Sequence, residues 1–130
     1  LNNTFAFACN TTGHIILGAD LTGWDVANNI FQSPATAAIY AFSGAHSGCT
    51  VRNNLTTVGS MMSSVPSGFT VSGSLVNTDP LLVDLIGPDY DFHTQVGSPA
   101  RDAGLTLADV IDDYVGAART VPFDIGAYES

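Results

Sequence analysis

Chemistry in this chain would have to be done by very few charged groups. There is no lysine, and the cations are Arg52, Arg101 and Arg119 against twelve acids. Eliminative cleavage of an acidic sugar polymer needs a base beside the sugar carboxylate, a group or ion that holds the enolate, and often a carboxylate-bound calcium. Asp25 and Arg52, with Asp20, would share an outer face of an extended structure and offer a thin version of that constellation. The simpler reading of the same residues is as solvated polar positions on a strand's outer face. Hydrolytic cleavage needs a pair of carboxylates. Asp89 and Asp91, or Asp112 and Asp113, are close in sequence, but they fall in turn-rich stretches where Asp is common for backbone reasons. His14, His46 and His93 have no spacing that signals a metal or a catalytic triad. Trp24 suits either a sugar-stacking platform or packing. The expectation is therefore no catalytic set and no resident metal or cofactor, with calcium the one ion this chemistry would call for. The candidate carbohydrate contacts are Trp24, Asp25 and Arg52.

The residues that position these groups come from an internal repeat. Leu1-Asn2-Asn3-Thr4-Phe5 recurs as Val26-Ala27-Asn28-Asn29-Ile30, as Val51-Arg52-Asn53-Asn54-Leu55 and, degraded, as Val76-Asn77-Thr78-Asp79-Pro80. Each copy follows the last by 25 residues, and Gly23, Gly48 and Gly73 keep the same step. So do His14–Leu17 and Ile39–Phe42. A period of this length marks a repeat array, and the short β-branched and aromatic runs broken by Gly, Ser and Asn read as strands. The expected fold is all-β: a right-handed parallel β-helix of about three 25-residue coils, stacked about 4.8 Å apart, with a C-terminal capping segment. Stacking would place Leu1, Val26, Val51 and Val76 in one inward aliphatic column, and Phe5, Ile30 and Leu55 in another. Asn3, Asn28 and Asn53 would form an asparagine ladder, since each amide both donates and accepts.

Composition narrows the partners. Charged residues make up 12% of the chain, about half the usual share. The net charge is −9, which argues against nucleic acid and anionic membrane surfaces. No apolar run is long enough to insert in a membrane. Ten of the twelve acids lie from Asp79 onward. Cys9 and Cys49 occupy different phases of the repeat, so the sequence leaves open whether they pair or lie apart as small buried residues. Three sequons, at Asn2, Asn10 and Asn54, are what an Asn/Thr-rich chain yields by chance.

After the repeat the tail carries fixed positions in a distinctive order. They are Asp79-Pro80-Leu81, Asp91-Phe92-His93, Gly97-Ser98-Pro99-Ala100-Arg101-Asp102-Ala103-Gly104, Asp113, Gly116, Arg119 and Asp124-Ile125-Gly126-Ala127-Tyr128-Glu129. This closely resembles the C-terminal end of secreted bacterial right-handed parallel β-helix surface proteins of the pectate-lyase-like superfamily. The resemblance implies the hand of the helix, an extracellular or cell-surface location and association with polysaccharide. It implies no particular reaction.

Residues 1–78 then form the coils, and 79–130 form the last coil and cap of one domain. Arg119 stands in the same tail as Asp102, Asp113, Asp124 and Glu129, and is expected to be the ion-pair hub of the cap. Thr106–Val115 has a weakly helical pattern, with Leu107, Val110, Ile111 and Tyr114 on one face. Leu1 starts in mid-repeat, so the first coil is expected to meet the rest of a longer chain or another copy of itself. Two functional expectations follow. One is an extracellular structural or adhesive module that contacts glycan or assembles into fibres, without catalysis of its own. The other is the C-terminal part of a polysaccharide lyase or hydrolase whose catalytic coils lie upstream.

Overall fold

A computed structural model describes residues 1–7 and 13–130 of the chain; the Cys9–Cys49 question falls outside them on the Cys9 side. The described residues are all-β, with ten short strands and no helix. In chain order these are β1 (Thr4–Phe5), β2 (Ile15–Leu17), β3 (Asp25–Ala27), β4 (Ile30–Phe31), β5 (Ile39–Ala41), β6 (Cys49–Arg52), β7 (Leu55–Thr56), β8 (Phe69–Ser72), β9 (Leu82–Asp84) and β10 (Asp91–Thr94). Three sheets are parallel, ordered β1-β4-β7, β2-β5 and β3-β6-β8, and β9 pairs with β10 antiparallel. Strands from successive repeats thus lie side by side, β1 with β4, β2 with β5 and β3 with β6.

The repeat governs this pairing, but its step is not uniform. Asn3 meets Asn29 at a separation of 26, Asn29 meets Asn54 at 25, and Asn54 meets Ser74 at 20. The shortened last step moves several expected positions. Val26 pairs with Val51, but Val51 pairs with Val71, while Val76 lies outside the column and is 41% exposed. Both valines suit an inward position by type. The strand that continues the sheet is Phe69–Ser72, so the ladder selects Val71. For the same reason Cys49 follows Gly48 onto Phe69, leaving Gly68 rather than Gly73 in that glycine column. The first step is one residue longer than expected, so Phe5 lies on Phe31 with ring centroids 5.1 Å apart, and Leu1 is exposed.

Period-2 alternation then divides the core in two. Phe31, Ile39, Cys49, Val51, Met61, Met62 and Phe69 fill the space between the parallel sheets. Ile30 and Leu55, expected to point the same way, belong instead to a second cluster with Leu82, Ala100 and Ile125, under the tail. Strands β4 and β7 are buried on both faces because the tail covers the outer one. Gly126 makes that approach: its φ is +116°, and a Cβ there would lie 2.8 Å from Ile30 Cδ1. The stretch Thr106–Val115 is a series of turns, and Ile111 and Tyr114 project into solvent. Its apolar spacing imitates a helix, yet the segment contributes one bridge, Asp112 to Ala118, and no helical turn.

The asparagine pairs divide their work. The second member of each pair makes the ladder, where Asn28 and Asn53 had been expected to. Asn29 Oδ1 accepts from Asn3 N and Nδ2, and Asn29 N and Nδ2 both donate to Asn54 Oδ1 at 2.9 and 2.8 Å. Asn54 Nδ2 also donates to the carbonyls of Val26 and Arg52. The first member takes the left-handed backbone, with φ of 52°, 56° and 46° at Asn2, Asn28 and Asn53, a conformation asparagine tolerates better than most residues. Asn28 and Asn53 are not idle. Asn28 holds both backbone groups of Leu105, and Asn53 donates to the Ala103 carbonyl, so the tail is hung on the repeat by these two side chains.

The corrected register makes an opposed pair of predictions. Val51 is fully buried between Val26 and Val71, so Val51→Asp buries an unpaired charge and should cost more than about 4 kcal/mol. Val76→Asp should change stability by less than about 0.5 kcal/mol, as at other exposed sites. Urea denaturation of both variants checks this, and equal losses would restore Val76 to the column.

Candidate functional site

Asp25 and Arg52 do come together, on the outer face of the β3-β6-β8 sheet. Asp25 pairs with Thr50 and Ala27 with Arg52, so Arg52 reaches back across one strand. Its Nε donates to Asp25 Oδ1 at 3.0 Å and its Nη2 to Oδ2 at 2.7 Å, while Thr50 Oγ1 donates to Oδ1 at 2.6 Å. The hydrogen bonds from Arg52 outweigh partial burial and hold the Asp25 carboxyl below its usual value, with Thr50 adding to the effect. The bond to Asp25 in turn raises the Arg52 guanidinium pKa. Each charge occupies the other in a bidentate fork, which makes Asp25 a poor proton acceptor near neutrality. Trp24 adjoins them and is 51% exposed, with its carbonyl accepting from Thr50 N. Asp20 is engaged elsewhere, accepting from Ala45 N at 2.7 Å.

The remaining candidates are tied to backbone. Asp113 Oδ1 accepts from Val115 N and Ala117 N, and Oδ2 from Glu129 N. Burial pushes its pKa up, but these N–H bonds, with help from Arg119, outweigh it and leave it lowered. Asp91 accepts from His93 N and contacts His93 Nδ1 at 2.6 Å, and the backbone bond is the larger cause of its lowered pKa. His46 is buried, accepting from Leu21 N at Nδ1 and bonding the Phe42 carbonyl through Nε2. His14 Nε2 bonds the Phe7 carbonyl at 2.7 Å. Among the described residues no group of three or more His, Cys, Asp or Glu is placed to hold a metal ion.

Arg119 organises the C-terminal segment. Its Nη1 pairs with Glu129 Oε2 at 3.0 Å, with side-chain exposures of 1% and 6%. Nη2 donates to the carbonyls of Gly126 and Ala127, and Nε to that of Asp112. Asp124 acts beside it without pairing, accepting from Asp102 N at 2.7 Å and from the Ser130 hydroxyl. Asp102 takes part through its backbone, with φ of 55°, not as a carboxylate partner of Arg119.

This anchoring builds a cleft that the reading of isolated charges passes over. Tyr114 N bonds Ala127 O at 2.9 Å, and Ala127 N bonds Thr4 Oγ1 at 3.2 Å, so the turn, the C-terminal segment and β1 are stitched together. Between them opens a cleft of about 360 Å³ lined by Asn3, Thr4, Phe5, Tyr90, Phe92, Tyr114, Ala127 and Tyr128. Tyr90 and Phe92 stack almost parallel at 6.0 Å, Tyr114 stands edge-on to Tyr128 at 5.7 Å, and His93 packs on Tyr128 at 4.0 Å. The available signal was the concentration of aromatics in the tail, at Tyr90, Phe92, Tyr114 and Tyr128. Their convergence depends on how the tail folds back, which no local pattern specifies.

No protein-family model, no curated protein and no solved structure matches the chain.

Removing the Arg119 guanidinium leaves Glu129 and several carbonyls without their donor in a buried setting. Arg119→Ala should therefore cost about 3–5 kcal/mol, measured by chemical denaturation. A loss below about 1 kcal/mol would mean that the segment is held mainly by its apolar contacts.

Proposed function

We propose that the chain is a right-handed parallel β-helix module with a C-terminal cap. It acts outside the cell or at its surface as a structural and adhesive element that contacts polysaccharide, without catalysis of its own. The observation that carries this reading is the pairing of strands one repeat apart, parallel and in register through three sheets. Such stacking gives an elongating scaffold whose uncovered outer faces, such as that of β3-β6-β8, can contact a polymer. The resemblance of the tail to β-helix surface proteins supports the same assignment. Strands β1, β2 and β3 stand at one edge of the three sheets. In this reading that edge continues into further coils of a longer chain or pairs with a second copy.

The non-catalytic part rests on Asp25 and Arg52 neutralising each other. An eliminative mechanism would need one of them free to take a proton, and the fork ties up both. Trp24, half exposed and next to Asp25 in the chain, offers a glycan a ring face.

Two measurements test the proposal. Incubation with pectate and with alginate, with calcium, should give no rise in the ultraviolet absorbance of unsaturated products. Turnover abolished by Arg52→Ala would overturn the non-catalytic reading. In affinity electrophoresis the chain should be retarded by neutral polysaccharide and less so after Trp24→Ala. Unretarded migration through every polymer tried would remove the glycan contact.

A further inference from the structure

The Phe5–Tyr128 cleft has features that the polysaccharide reading does not use. Five rings contributed by β1, the start of β10, the turn at Tyr114 and the C-terminal segment surround one space. They are not a flat platform: Tyr114 and Tyr128 meet at 70°, and the Tyr90–Phe92 stack forms another wall. A sugar ring stacks on one flat ring face, whereas aromatic walls set at different angles around one space let a compact group meet more than one ring. That is the arrangement that holds an organic cation.

The charges around the cleft agree. Asp91 and Asp113 both lie within electrostatic range of Tyr128: its phenol pKa is raised first by burial, then by Tyr114 and by these two carboxylates. The opposing groups are His93, hydrogen-bonded to Asp91 and packed on Tyr128, and Arg119, which is buried and paired with Glu129. No Lys or Arg side chain lines the space. The segment that builds most of it also holds ten of the chain's twelve acids. An anionic sugar would be repelled there, and a cation attracted.

We infer that this aromatic cleft binds an organic ammonium group, seated against Phe5, Tyr90, Phe92, Tyr114 and Tyr128 with Asp91 and Asp113 beyond the rings. The group can be the quaternary ammonium of a choline-type compound or the protonated amine of an amino sugar. The ammonium is the chemistry the two share. The inference is independent of the Trp24 surface and of the helix's continuation.

The test is a proton–nitrogen NMR titration of the 130-residue chain with choline, with choline's uncharged carbon isostere, with glucosamine and with glucose. Choline or glucosamine should shift the amide signals of Phe5, Tyr114, Ala127 and Tyr128. Each should bind about threefold more tightly than its uncharged counterpart, in keeping with a cation–π contact at partly exposed rings. Whichever cation binds better identifies the source of the ammonium. Tyr114→Ala, at a ring 77% exposed, should weaken binding about twofold while the dispersion of the remaining amide signals stays that of the folded chain, and Tyr114→Phe should restore binding. Equal binding of choline and its isostere would make the cleft merely apolar and overturn the inference. So would glucose binding as well as glucosamine, or a cleft whose signals respond to neither cation.

Discussion

The structure depends on two buried asparagine amides, those of Asn29 and Asn54, that bond each other across the step between repeats. Asn29 and Asn54 are almost wholly inaccessible to solvent, where an unpaired amide costs about 1–3 kcal/mol. Each is satisfied by the asparagine one step away and by a carbonyl of its own turn, and Asn54 also donates to the Val26 carbonyl of the preceding repeat. A shift of one residue between repeats would break these bonds and turn every flanking side chain to the opposite face. The ladder therefore sets the register, while the aliphatic pairs Val26–Val51 and Ile30–Leu55 supply burial, about 1.5–3 kcal/mol per fully buried side chain. The ladder also explains Ser74. Where the step shortens, a serine hydroxyl takes the amide's place as acceptor for Asn54 N. Gly73 before it adopts φ of 61°, and a Cβ there would lie 2.6 Å from Asn53 Oδ1.

The tail follows from the same pairs. Because the first asparagine of each is left-handed, Asn28 and Asn53 are free to hold Leu105 and Ala103 rather than each other. That places Ile125 and Ala100 over Ile30 and Leu55 and makes a second core from the outer face of β4 and β7. Arg119 gathers the chain end around its guanidinium, and the aromatic cleft is the space left between that end and β1. The charged pair on the β3-β6-β8 sheet has another character. Arg52 and Asp25 saturate each other at the surface, which suits contact better than proton transfer.

Much of this was legible in the sequence and some was not, for identifiable reasons. Parallel all-β stacking could be read because the paired asparagines and apolar residues recur at nearly constant spacing. The step could not be read to the residue. Val71 and Val76, or Ile30 and Phe31, satisfy the same apolar pattern, and only hydrogen-bond pairing separates them. Which asparagine of each pair makes the ladder was hidden likewise, since the difference lies in φ. The spacing of Leu107, Val110, Ile111 and Tyr114 suggested a helix, but those residues follow backbone bonds to distant partners, such as Tyr114 N to Ala127 O. The cleft was out of reach because it exists only where the tail folds back against β1, bringing Tyr90, Phe92, Tyr114 and Tyr128 to Phe5 from most of a chain away.

The most direct test of the ladder is the stability of Asn54→Ala compared with Asn3→Ala, by urea denaturation. Asn54→Ala leaves Asn29 N and the Val26 carbonyl unpaired in the interior. It should lose on the order of 3 kcal/mol. Asn3 lies at the exposed end of the ladder, and its replacement should lose less than about 1 kcal/mol. Equal and small losses at both positions would contradict the account, because apolar burial alone would then be setting the register.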